Sequence, residues 1–132
     1  MRALRAGGGA GSSALVAVAI AGLVGTGAAE AASKAAVAVT IRAEGTDLSG
    51  VVTSSRPRLC AADRTVVVFK VKGTFGGGDD VRFASDTTDL SGGVYAWSTG
   101  NTGTEGRFYA RLKATPHCRA ATSRVVRAQR SD

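Results

Sequence analysis

Two runs decide how this chain folds: Thr65-Val66-Val67-Val68-Phe69-Lys70-Val71-Lys72 and Gly106-Arg107-Phe108-Tyr109-Ala110-Arg111-Leu112-Lys113. The first is dense in β-branched residues, which fit a pleated, half-buried surface, and is expected to be a central strand. The second alternates, with Phe108, Ala110 and Leu112 on the inward face and Arg107, Tyr109, Arg111 and Lys113 on the outward one. The chain's two cysteines, Cys60 and Cys118, stand just before the first run and just after the second. Antiparallel pairing of the runs would bring both thiols to one end, where a disulfide ties neighbouring strands.

The same period of two recurs at Val67/Phe69/Val71, at Val81/Phe83 and at Tyr95/Trp97, which places those residues on the inward faces of half-buried strands. Strands are expected at 37–43, with Val37, Val39 and Ile41 inward, and at 48–53, 65–72, 81–85, 94–98, 106–113 and 123–129. Turn chemistry separates them: Glu44-Gly45-Thr46-Asp47, a breaker at 54–57, a loop at 73–80 holding Gly76-Gly77-Gly78, a turn at 87–93 and glycine-spaced residues 100–106. Seven short strands, no helical period and a cysteine bracket predict an all-β chain folded as a single seven-stranded Greek-key β-sandwich with one disulfide.

Residues 1–31 read as a signal peptide, with Arg2 and Arg5 at the start, an apolar run at 14–24, and Ala29-Glu30-Ala31 as the cleavage site. The apolar stretch is short of the roughly 20 residues that a spanning helix needs and is rich in Gly and Ala. Cleavage after Ala31 therefore leaves a β-sandwich domain at 32–132 that is released, secreted or associated with the cell envelope, with no membrane span. It also removes Arg2, Arg5 and Glu30 from the totals of 17 basic and 10 acidic residues, so the net charge falls from +7 to +6. Export makes the cysteine pair a structural disulfide, since such bonds persist outside the cytoplasm and the spacing is that of neither a zinc site nor a redox motif. A domain of this size has one modest core, and a covalent tie helps it.

From Leu48 onward the order of motifs resembles the prealbumin-like family of sandwiches, which includes the regulatory domain of carboxypeptidases and many exported bacterial modules. The residues that carry the likeness are Leu48-x-Gly50-x-Val52, Val67-x-Phe69, Thr88-Asp89 followed by Gly92 or Gly93 and Tyr95-x-Trp97, and Gly106-x-Phe108-x-Ala110. One extra residue separates Gly92 from the first aromatic, and Glu105 stands where that family commonly has proline. An immunoglobulin-like sandwich fits the same strands. The resemblance implies a spacer, adhesion or binding module without catalytic activity, so function rests on the sites themselves.

His117 is the single histidine, and a hydrolase triad would need it beside a serine such as Ser98 and an acid such as Asp89. No serine lies in a nucleophile elbow, and a turn histidine beside the disulfide is the plainer reading. Asp79, Asp80, Asp86 and Asp89 offer oxygen ligands, but their spacing matches no calcium loop, and paired aspartates in a turn ordinarily just solvate it. The glycine runs lack a P-loop lysine and a strand-to-helix setting. No cofactor, metal or catalytic residue is expected.

Charge remains. Lys70 and Lys72, with Arg107, Tyr109, Arg111 and Lys113 from the neighbouring strand, are expected on one outward face as a basic stripe with one aromatic. Such a face would hold an anionic polymer of the cell envelope such as an acidic polysaccharide, or meet another extracellular protein; nucleic acid is not an expected partner outside the cell. Solvation of an exposed sheet explains the same charges and weighs more at a net charge near +6. The expectation is an exported, non-catalytic binding or structural module. The alternatives are a carrier of a small apolar ligand between the sheets and, more distantly, a small secreted hydrolase.

Overall fold

A computed structural model describes residues 33–131, and the expected signal peptide lies outside them. The strands are β1 (Val37–Val39), β2 (Arg42–Glu44), β3 (Asp47–Ser54), β4 (Thr65–Lys70), β5 (Val81–Thr87), β6 (Asp89–Ser91), β7 (Val94–Asn101), β8 (Gly106–Leu112), β9 (Ala121–Thr122) and β10 (Val126–Ala128). Among the described residues there is one short helix, α1 (Pro57–Cys60), which begins at the last residue of the expected breaker, with Pro57 in the first turn where its missing N–H costs nothing. The all-β expectation holds. All strand pairings between these elements are antiparallel.

The strands form two sheets, one ordered β1-β3-β7-β6 with β2 also on β3, the other β9-β8-β4-β5 with β10 also on β8. β1 and β2 are thus two pieces of one line along β3, and β9 and β10 two pieces of one line along β8. Counted as lines there are eight among the described residues rather than the expected seven. The added one is β6, whose residues Asp89, Leu90 and Ser91 are all exposed and so carry no burial pattern for the sequence to display. It joins β7 through Gly92 and Gly93, whose φ values of 57° and 85° suit a two-residue hairpin turn.

Between the sheets lie Leu48, Val52, Val66, Val68, Trp97, Phe108, Ala110 and Leu112, all buried, with Phe83 and Tyr95 packed against them. The inward placement of Trp97, Phe108, Ala110 and Leu112 agrees with their spacing. That of Val67 and Phe69 does not. The core takes Val66 and Val68 instead, because three consecutive valines contain no alternation from which the phase of β4 could be read. Val81 also differs, standing 46 % exposed beyond the end of the core, while a register shift opposite Val68/Phe69 turns Phe83 onto Phe108 at 4.9 Å between ring centroids.

The break between β1 and β2 has a specific cause. Gly50 pairs with Trp97, and a Cβ on Gly50 would lie 1.9 Å from the carbonyl oxygen of Thr40 and 2.8 Å from Trp97 Nε1. The absent side chain lets the chain fold over at Thr40, whose carbonyl accepts the indole N–H at 3.2 Å and whose hydroxyl accepts the Val51 N–H at 3.0 Å. Ser123 fills the matching gap between β9 and β10: its hydroxyl accepts from the Ala110 N–H and donates to the Arg124 carbonyl, each at 2.8 Å. Both interruptions keep buried backbone groups paired.

At one end of the sandwich Cys60 and Cys118 form the expected disulfide, with their Cα atoms 5.6 Å apart, and pack with Ala35. β4 and β8 are neighbours, as the bracket required. Arg64 reinforces this end from within, donating from Nη1 to the Cys60 carbonyl at 2.6 Å and from Nη2 to the Lys113 carbonyl at 2.7 Å. Burial lowers the pKa of its guanidinium. Thr88 completes the joint, accepting the Arg64 N–H at 3.0 Å and donating to the Ala61 carbonyl at 2.6 Å. The end of β8, and with it Lys113, is therefore held to both the helix and the start of β4.

Candidate functional site

Residues directly opposite on paired strands share a face, so the pairs Val67↔Arg111, Phe69↔Tyr109 and Phe69↔Arg82 put all five side chains on the outer face of the second sheet. The loop 73–80 lies against that face at Arg107 and Tyr109. Arg107 Nη2 donates to the Gly73 carbonyl at 2.8 Å, the Tyr109 hydroxyl donates to Asp80 Oδ2 at 2.7 Å, and the Gly76 N–H donates to the same oxygen at 2.9 Å. Phe75 meets the Tyr109 ring edge-on at 4.8 Å, and Phe69 stacks on it at 5.4 Å. Tyr109 is consequently buried, and burial first, then its bond to Asp80, raises its pKa.

The expected basic stripe is thereby divided. Tyr109 is a pillar beneath the loop rather than an exposed aromatic, and Arg107 is half-buried and tied to the loop. Lys70 pairs with Phe108, whose face is the inner one, and its stem crosses Gly106, where a Cβ would lie 2.9 Å from Lys70 Cε. Lys72 is exposed on the approach to the loop. Only Arg111 and Lys113 of the six stay together on open surface, and Arg82 joins them from β5.

Val67, Phe69, Arg82, Arg111 and Lys113 line a depression of about 130 Å³. A second depression of about 370 Å³ shares Val67, Arg82 and Lys113 and continues past Thr65 to Asp63 and Thr115. Three cations therefore surround an apolar floor. Among the described residues the ion pair found is Arg42 with Glu44 at 3.6 Å, so within these residues none of the three cations of the depression is in direct contact with a carboxylate, and Asp63 lines the adjoining depression.

Sequence reasoning missed Arg82 because the order of the sheet was not legible. Its position between Val81 and Phe83 signals an outward side chain, but nothing in the sequence says that β5 lies on the far side of β4 from β8. Arg64 also escaped notice as a structural residue.

The other candidates are dispersed. His117 is exposed on the loop leaving β8, beside the disulfide, while Ser98 and Asp89 belong to β7 and β6 of the other sheet. Asp80 serves Tyr109 and Gly76, and Asp86 accepts the Ser98 N–H at 2.8 Å. Among the described residues no three His, Cys, Asp or Glu side chains are grouped to hold a metal ion, and no helix is long and apolar enough to cross a membrane. No family model and no curated protein matches this chain.

Proposed function

We propose that this chain is an exported, non-catalytic β-sandwich that holds an anionic polymer of the cell envelope against Arg82, Arg111 and Lys113. The convergence of those three cations, from β5, β8 and the end of β8, on one apolar-floored depression carries the reading. A merely solvating set of charges has no need of a shared concavity, and like charges placed together repel unless an anion lies between them. The order β1/β2, β3, β7, β6 against β9/β10, β8, β4, β5 corresponds to strands A, B, E, D and G, F, C, C′, which supports the immunoglobulin-like form of Greek-key sandwich over the prealbumin-like one. Export draws support from the leader sequence and from the disulfide. A carrier role draws less, since Trp97, Phe108, Leu48 and Leu112 fill the space between the sheets.

Retention on a heparin-like matrix tests the reading. The wild-type protein is expected to bind at low salt and to elute as the screening length falls from about 10 Å at 0.1 M to about 3 Å at 1 M. Arg82→Ser, Arg111→Ser and Lys113→Ser together should abolish retention while shifting stability by under about 1 kcal/mol, because exposed charges contribute little to folding. Arg42, Arg56 and Arg58, all exposed and none lining the depression, are the matched control. Equal loss in both triple variants would mean diffuse attraction and would contradict a site.

A further inference from the structure

We infer that the depression is a subsite for one carboxylated sugar unit within a linear acidic polysaccharide, the class of anionic polymer that the proposed function leaves open and on which this inference rests. The floor decides it. Val67 and Phe69 are half-buried and lie between the three cations, so a ligand that satisfies the charges also covers apolar surface. A polyphosphate chain offers oxygen on every side and gains nothing from that floor. A uronate ring presents a carboxylate at its edge, which suits the planar fork of an arginine, and a face of C–H groups that packs on an aromatic ring.

The Phe69 ring is held in place before any ligand arrives. One side stacks on Tyr109 at 5.4 Å, and Tyr109 is itself fixed by Asp80 and by Phe75. A rigid ring costs little ordering on binding. The depression of about 130 Å³ is small, and the adjoining one follows β4 back from Val67 to Thr65, roughly 7 Å of strand at about 3.3 Å per residue, along which a neighbouring unit would lie.

The experiment compares binding of oligogalacturonate, polyphosphate and oligodeoxythymidylate of matched charge to the intact exported protein, for wild type, Phe69→Leu and Val67→Thr. Trp97 emission reports folding in each variant. Oligogalacturonate should bind tightest, and Phe69→Leu should weaken it about fivefold, the loss of one aromatic contact, while changing polyphosphate binding by less than about twofold. Val67→Thr keeps the side-chain shape and makes the floor polar, so it carries the test by itself if Phe69→Leu fails to fold. Equal binding of oligogalacturonate and polyphosphate, unaffected by either substitution, would overturn the sugar subsite and leave the anionic site standing. Tighter binding of the oligonucleotide would overturn it in favour of a nucleic acid. Binding of none of the three at low salt would overturn both.

Discussion

Trp97→Ala is expected to destabilise the domain by about 3 to 5 kcal/mol, the range for removing a large aromatic from a core, and to leave most of the protein unfolded. Trp97 is 2 % exposed and fills the space between Val52 and Leu48 on its own sheet and the facing residues of β4 and β8. Its removal also frees the Thr40 carbonyl, which accepts the indole N–H at the break between β1 and β2. Gly50→Ala attacks the same joint from the other side, because its methyl group would sit 1.9 Å from the Thr40 oxygen and force the edge line away from β3. Overpacking against backbone, which has no rotamer to yield, belongs at or above the usual range of about 1 to 3 kcal/mol. Urea unfolding followed by tryptophan emission checks Gly50→Ala directly. Native emission like that of free indole in water would contradict the burial on which both expectations stand.

Loss of the disulfide is the second large effect. The bond closes a loop of 58 residues, and the chain-entropy model assigns such a loop about 4 kcal/mol at 25 °C. Against a total stability of about 5 to 15 kcal/mol that is a large share. Its partners share the load only in part: Arg64 spans the same gap from the Cys60 carbonyl to the Lys113 carbonyl, and Ala35 exchanges backbone hydrogen bonds of 2.9 Å with His117 and Arg119. Cys60→Ala with Cys118→Ala should accordingly lower the urea midpoint strongly while preserving the strand content of whatever folds. A shift worth less than about 1 kcal/mol would mean that the Arg64 joint, not the covalent bond, closes this end.

How far the chain could be read before its structure was known depends on where its alternation is clean. Phe108, Ala110 and Leu112 are separated by the polar or bulky Tyr109 and Arg111, and Tyr95 from Trp97 by the small Ala96, so their facing is plain. Val66, Val67 and Val68 are equally apolar, and the choice between the two phases of β4 is made by pairing with β8 and β5, which no local pattern encodes. The same choice moved Phe69 from the core to the outer face and created the floor of the candidate site. The disulfide was legible because its two residues flank strands whose neighbourhood follows from almost any sandwich. β6 was not, since a three-residue strand exposed at every position differs from a turn only in its hydrogen bonds. The basic stripe was half legible: Arg111 and Lys113 stand where their alternation puts them, but the loop 73–80, which reads as glycine-rich and polar, in fact lies down over Tyr109 through Phe75 and Asp80. Arg82 entered the site by sheet order alone.

Backbone amide shifts report binding at the depression residue by residue. Titrating a short oligogalacturonate into the isotope-labelled protein at low salt should shift the amides of Thr65, Val67, Phe69, Arg82, Arg111 and Lys113. Those of Arg42, Arg56 and Arg58 should stay in place, and added salt should reverse the shifts. Shifts spread evenly over all basic positions, or confined to the other sheet, would contradict a site at Arg82, Arg111 and Lys113.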